Sequence, residues 1–106
     1  MQLLTEELRK QLQAQFPMGS DMEQMVVAKL FDPCGSWDWY LLNQDPEDHT
    51  YLYGIVKGFE TEMGSIYLPE LEEYKGQLGI GIERDLSFKP IKASELWKKL
   101  MDGEHV

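Results

Sequence analysis

Three strand-like segments joined by short turns constrain the fold of this 106-residue chain more than any other feature. Residues 37–43, 51–59 and 62–68 are rich in aromatic and β-branched side chains, which alternate between two faces. The first connection contains Asp45-Pro46-Glu47-Asp48, a sequence typical of turns. Because connections this short leave no room for a crossover, neighbouring strands should pair antiparallel.

The remaining segments predict one more strand and three helices. Residues 25–31 form a β-rich apolar run. Apolar residues at every fourth position from Leu4 to Phe16 indicate a helix that Thr5 would cap. Pro69 opens a short second helix, and Ser94 would cap the last one.

These elements predict an α+β fold. We expect a single domain over residues 1–106, with an antiparallel sheet of about four strands and the helices packed on one face.

The negative charge of the chain is concentrated in the predicted sheet and the segments around it. Residues 38–73 hold nine acidic side chains and one lysine, so this window carries −8 of the net charge of −9. Moderate net charge also serves solubility, but solubility requires no such clustering. A concentrated negative field repels nucleic acid and attracts basic protein surfaces. We therefore expect no direct nucleic-acid binding and predict a basic protein partner.

Several observations bear on compartment and cofactors. The single cysteine, Cys34, allows neither an intramolecular disulfide nor a cysteine-based zinc cage. No apolar run approaches the roughly 18 residues of a membrane span, and the acidic start differs from a signal peptide. His49 and His105 are far apart in sequence and do not by themselves indicate a metal site. We expect a cytoplasmic protein with no membrane association, metal or cofactor.

Glu83-Arg84-Asp85 is the densest charged triplet, and two interpretations of it stay open. In the first, Arg84 holds an anion, or Glu83 and Asp85 act as metal ligands or as an acid–base pair. In the second, Arg84 forms a salt bridge to the sheet and fixes the C-terminal segment. No motif with catalytic spacing accompanies the triplet, so we predict no enzymatic activity.

Aromatic side chains are dense in the same strands that carry the acids. Some of them should form the core, and any that are exposed among acids would form a protein-binding face, since Trp and Tyr are favoured anchors. We take Trp39 and Tyr53 as aromatic contacts for a partner. The acidic contacts predicted beside them are Asp45, Glu47, Asp48, Glu60, Glu62, Glu70, Glu72 and Glu73.

A series of short motifs between residues 29 and 88 resembles a known family. The most specific is Gly-x-Leu-Gly-x-x-Ile-Glu-Arg-Asp at residues 76–85, and the others include Lys-Leu-Phe-Asp-Pro at 29–33 and Leu-Pro-Glu-Leu at 68–71. The family consists of small acidic proteins of unknown function carried on bacterial plasmids, conjugative elements and phages. The resemblance implies a mobile-element origin but transfers no activity. The chain departs from the family pattern at residues 37–40, which are unusually aromatic, and at Tyr53, where the family tends to carry Phe.

Charge, aromatic content and the implied genetic context together predict a non-enzymatic protein-binding module. Its acids would imitate phosphates and occupy the basic groove of a nucleic-acid-binding defence protein, such as a CRISPR effector or a restriction enzyme. One alternative is a plasmid or phage accessory protein that binds a replication, partition or transfer factor. Another is a small enzyme that uses Glu83, Arg84 and Asp85. Exposed strand edges would allow either a monomer or a homodimer.

Overall fold

A computed structural model describes residues 3–104 and 106, so His105 lies outside the described residues. The helices are α1 (Glu6–Ala14), α2 (Leu68–Glu73) and α3 (Ala93–Met101), with 3₁₀ turns at Phe16–Met18 and Gln77–Gly79. The strands are β1 (Met25–Val26), β2 (Ala28–Phe31), β3 (Asp38–Gln44), β4 (Tyr51–Lys57), β5 (Thr61–Tyr67), β6 (Glu83–Arg84) and β7 (Ile91–Lys92).

The main sheet has five antiparallel strands in the order β5-β4-β3-β2-β6. The predicted α+β class and antiparallel pairing are therefore confirmed for a compact single domain. The predicted strand at 25–31 is divided, because β1 leaves the main sheet and pairs with β7 in a separate two-stranded sheet. The fifth strand of the main sheet is β6, which pairs with the far side of β2.

The helices lie on both faces of the sheet, and not on one face as predicted. The first face, called here the α1 face, packs Leu41 and Ile66 of the sheet against Leu12 of α1 and Leu68 of α2. Burying a leucine side chain fully, as at Leu12, contributes about 1.5–3 kcal/mol.

The second face, called here the α3 face, packs Tyr40 and Ile55 against Leu96 and Leu100 of α3. Helices pack on both faces because consecutive side chains of the central strand β3 point to opposite faces, and all of those from Tyr40 to Gln44 are buried.

The helix ends follow the sequence signals at two of three N-termini. The Thr5 side chain accepts a hydrogen bond from the Leu8 backbone N–H at 3.2 Å, so the predicted cap of α1 is confirmed. Pro69 lies in the first turn of α2, as predicted. Ser94 does not cap α3, because that helix already includes Ala93 and the Ser94 hydroxyl instead contacts Glu23 at 3.2 Å.

No helix in the described part of the chain combines the length and the apolarity needed to cross a membrane.

Candidate protein-interaction surface

Trp37 lies at the centre of an aromatic surface at one end of the sheet. The turn from Asp32 to Trp37 joins β2 to β3, and the Asp32 backbone N–H donates to the Trp37 carbonyl at 3.1 Å. The Trp37 ring covers Gly58, where a Cβ atom would lie 2.6 Å from the Trp37 Cη2. Gly58 is therefore required for the close approach of this ring, and it fixes the ring over the turn between β4 and β5.

Phe59 follows Gly58 in this turn and is 96% exposed. Its ring packs edge-on against Trp37 with 5.5 Å between centroids, and the Trp37 ring lies 6.1 Å from that of Trp39. Turn residues are usually polar, so a nearly fully exposed phenylalanine next to a tryptophan is an unusual surface feature. Rings held in this way offer apolar contact area that needs little further ordering when a partner binds.

Carboxylates border these rings on the side of β5. Trp39, Val56 and Glu62 form one row across strands β3, β4 and β5 on the α1 face. Glu60 lies in the adjacent turn, and both glutamates line a groove of about 280 Å³ with Trp37 and Phe59. The groove therefore offers an aromatic wall beside two negative charges, an arrangement that attracts cationic side chains.

A second groove lies on the other side of Trp37, between that ring and α2. Glu70 and Leu71 of α2, Tyr74 directly after this helix, and Trp39 of β3 line a cavity of about 210 Å³. The Asp32 carboxylate raises the pKa of the Tyr74 hydroxyl, chiefly through its negative charge, and the two groups are hydrogen-bonded. This groove also combines aromatic walls with carboxylates at its border. We call the two grooves and the rings between them the Trp37 surface; its residues are Asp32, Trp37, Trp39, Val56, Phe59, Glu60, Glu62, Glu70, Leu71 and Tyr74.

The structure divides the acidic residues predicted to contact a partner. Glu60, Glu62 and Glu70 join Trp39 at the Trp37 surface. The acids at 45–48 lie in the turn between β3 and β4, at the opposite end of strands that are seven residues, or roughly 20 Å, long. The predicted residues therefore do not all belong to one contiguous patch.

The turn acids make local hydrogen bonds that shape their own turn. Asp45 accepts from the Glu47 backbone N–H at 2.8 Å. Asp48 accepts from the Thr50 hydroxyl at 2.5 Å, and this bond lowers the pKa of the Asp48 carboxyl below its ordinary value. Glu47 is exposed. Tyr53, the second predicted aromatic contact, is half-buried on the α3 face and lines a pocket with Asp45.

The remaining acids of α2 have different surroundings. Glu72 is half-buried, and its carboxylate accepts from the Leu3 backbone N–H at 3.3 Å, so it helps to position the N-terminal segment. Glu73 is exposed and lies outside both grooves.

Arg84 contacts the N-terminal segment, whereas the structural interpretation had it form a salt bridge to the sheet and fix the C-terminal segment. Its guanidinium donates from Nη1 to the Leu3 carbonyl at 2.5 Å. Glu83 is exposed on the short strand β6. Asp85 lies beyond the end of this strand, where its carboxylate accepts from the Ser87 backbone N–H at 2.9 Å. Within residues 3–104 and 106, no three His, Cys, Asp or Glu side chains gather in a way that could hold a metal ion.

The sequence interpretation did not select Trp37, Phe59, Asp32 or Tyr74 as contacts. Phe59 was predicted at the end of a strand over residues 51–59, whereas the structure ends β4 at Lys57 and places Phe59 in the turn. Gly58 directly before it is the signal that could have marked this turn. Asp32 and Tyr74 are 42 positions apart and meet only because α2 folds back across the α1 face.

A single family model covers almost the whole chain. Residues 3–103 match the model of a protein family of unknown function, DUF2958, and the chain belongs to this family. No curated protein and no solved structure gives a significant match.

Proposed function

We propose that this domain is a non-enzymatic protein-binding module that uses the Trp37 surface to hold a basic region of another protein. One observation carries the proposal: Phe59 is almost wholly exposed, it packs against Trp37, and Glu60, Glu62 and Glu70 border the two rings. Arginine and lysine side chains gain both from an aromatic face and from a nearby carboxylate. A partner with exposed basic side chains would therefore satisfy both features of the surface.

The net charge of the domain supports the same class of partner. A charge of −9 on 106 residues speeds encounter with a positive surface and disfavours nucleic acid. Basic grooves of this kind occur in proteins that bind nucleic acid through phosphates. We propose that the partner is such a protein, and specifically a host defence nuclease of the CRISPR or restriction type that the domain inhibits by occupying its groove.

The mobile-element origin and the cytoplasmic location belong to this proposal as well. The resemblance of residues 29–88 to proteins carried on plasmids and phages supports the origin, and the single Cys34, which fits a reducing cytosol, supports the location. An accessory role, in which the partner is a replication, partition or transfer protein, would use the same surface. The outer edge of β5 is available to a second copy, so the proposal covers both a monomer and a homodimer.

The first test is capture of a partner and measurement of its affinity. Tagged protein would be incubated with lysates of bacteria that carry CRISPR and restriction systems, washed at low and then high salt, and the captured protein purified for direct binding measurements. Contacts between charged surfaces weaken with salt, so release at high salt is expected. A defence nuclease would support the inhibitor role, whereas a replication or transfer protein would support the accessory role.

A matched pair of charge-reversal variants identifies the surface. The variant with Glu60→Lys, Glu62→Lys and Glu70→Lys reverses the acids of the Trp37 surface. The control with Glu47→Lys, Glu73→Lys and Glu83→Lys changes the net charge by the same amount at exposed positions outside it. We expect the first variant to lose at least about tenfold in affinity, and the control to lose much less. Equal losses would show that only net charge matters and would contradict the proposed surface.

A further inference from the structure

A separate pocket lies at the opposite end of the sheet from the Trp37 surface. Three aromatic residues, Phe16, Tyr51 and Tyr53, line it together with Asp45. Its volume is about 460 Å³, which lies within the usual range of small-ligand sites. Among the described residues that line it, Asp45 is the only one with a charged side chain, so these residues give the pocket a negative charge and no balancing cation.

Buried amides hold the wall of this pocket in place. The Gly19 carbonyl accepts from Gln24 Nε2 at 2.8 Å and from Asn43 Nδ2 at 2.9 Å. Gln24 and Asn43 are both almost fully buried and are also hydrogen-bonded to each other at 3.0 Å. Gly19 has φ +53° and ψ −116°, a conformation that requires glycine. The segment that carries Phe16 and Gly19 is therefore fixed before any ligand arrives, which reduces the ordering cost of binding.

The Asp45 carboxylate is held as well. Its Oδ1 accepts from the Glu47 backbone N–H at 2.8 Å, and the Asp45 backbone N–H contacts the Tyr51 carbonyl at 3.3 Å. The Tyr51 ring packs against that of Tyr67, with 5.2 Å between centroids. Both the charge and one of the aromatic walls therefore have fixed positions.

From this geometry we infer that the pocket binds an organic ammonium group, inserted between the aromatic side chains and neutralised by Asp45. Three aromatic side chains and one carboxylate line the same cavity, and this combination favours a cation with apolar substituents over a strongly hydrated inorganic ion. The same chemistry could come from a lysine side chain of a protein or from a small free amine. The inference does not depend on the Trp37 surface, which shares no residue with this pocket.

The test uses the full chain and a pair of probes with the same shape. Choline and its neutral carbon analogue, 3,3-dimethylbutan-1-ol, would be titrated while the backbone amide signals of Gly19, Ser20 and Ser65 are followed by NMR. We expect saturable shifts with choline and none with the alcohol. Equal shifts with both probes, or no saturable shift with choline, would overturn the inference.

Two variants with matched controls locate the cation. Asp45→Asn removes the charge but keeps an oxygen that can accept from the Glu47 N–H, and Glu47→Gln removes a neighbouring charge outside the pocket. We expect choline affinity to fall about tenfold in the first variant and to stay unchanged in the second. Tyr51→Leu should weaken binding similarly, whereas Tyr74→Leu, at an exposed tyrosine of the Trp37 surface, should have little effect. Equal losses within either pair would contradict the site.

A third arm identifies the source of the ammonium group. A short peptide with a single lysine would be compared with choline in the same titration. Tighter binding of the peptide would assign the pocket to a protein side chain, and tighter binding of choline would assign it to a small amine. A failure of choline to bind would overturn the inference here as in the first titration, whether or not the peptide binds.

Discussion

The indole ring of Trp37 lies directly against the backbone of Gly58, and three of its ring atoms are 2.6–2.7 Å from the position that a Cβ atom would occupy. The two residues are 21 positions apart, and this contact fixes both the ring and the turn that presents Phe59. The orientation of the Trp37 surface therefore depends on the absence of a side chain at one position.

Replacing this glycine should disturb the surface directly. Gly58→Ala would place a methyl group 2.6–2.7 Å from three atoms of the Trp37 ring, so the ring must move. Overpacking of this kind lowers the free energy of unfolding by about 1–3 kcal/mol. We expect lower stability in urea, a changed tryptophan fluorescence spectrum and weaker partner binding.

Gly64→Ala is the matched control, because a Cβ atom at that position in β5 meets nothing within 4 Å. It should be neutral or stabilise the domain by up to about 1 kcal/mol, since alanine loses less backbone entropy on folding than glycine. If both substitutions had the same effect, the Trp37 contact would not be the cause.

The N-terminal segment should loosen when Arg84 is replaced. Leu3 and Leu4 are 2% exposed in the core of the α1 face, and the Leu3 carbonyl accepts from Arg84 while its N–H donates to Glu72. Arg84→Met removes a hydrogen bond with a charged donor, which contributes about 1.5–3 kcal/mol. We expect a lower urea midpoint and faster hydrogen exchange in the first residues of the chain.

Glu83→Gln provides the comparison, because Glu83 is exposed on the same short strand. Its effect on stability should stay within about 0.5 kcal/mol. An Arg84→Met protein with unchanged stability but altered partner binding would show that the guanidinium serves a ligand instead of the fold.

The low pKa of Asp48 should rise when its hydroxyl donor is removed. The largest cause of the lowered pKa is the hydrogen bond from Thr50, so Thr50→Val should move the pKa of the carboxyl back toward its ordinary value. A carboxyl whose pKa is lowered on folding adds stability above its unfolded pKa and loses that contribution as the pH falls. The measurement is an NMR titration of the Asp48 side-chain carbonyl carbon, and an unchanged midpoint would contradict the assigned cause.

The sequence predicted the central strands well because their signal is local. Alternation and turn residues identified β3, β4 and β5 to within a few residues, and the short turns determined their antiparallel pairing. The sequence included β1 in one continuous strand over residues 25–31, and the two-residue strand β7 carries too little pattern to detect. The pairing of β1 with β7 joins Met25 to Lys92. The packing of α3 on the opposite face from α1 was not predicted either, because no local pattern specifies which side of a sheet a helix distant in sequence will cover.

The candidate site was only partly predictable because it depends on contacts that are distant in sequence. Charge density selected Glu60, Glu62 and Glu70, which the structure places beside aromatic rings, but it also selected Asp45 and Glu47, which the strand length separates from them. The sequence did not indicate which polar side chains are buried, although Gln24 and Asn43 hold the wall of the pocket that Phe16, Tyr51 and Asp45 line. Such residues are usually exposed, so composition alone argues against their burial.

Stability should fall at alkaline pH because of Tyr40, which is completely buried and donates from its hydroxyl to the Val106 carbonyl at 3.0 Å. Burial raises the pKa of this hydroxyl above its ordinary value, and the charges of Asp38 and Asp85 raise it further. Above about pH 10 the unfolded chain ionises while the folded chain keeps the proton, so the unfolding free energy should fall by up to about 1.4 kcal/mol per pH unit.

Tyr40→Phe should remove this part of the slope. At neutral pH the variant should lose only about 1 kcal/mol, the usual contribution of one hydrogen bond, because Lys29 still donates to the same Val106 oxygen at 2.6 Å. Urea unfolding curves at neutral pH and at several values above about pH 10 measure both effects. A variant whose stability declined with pH as steeply as that of the parent would show that groups other than Tyr40 carry the alkaline transition.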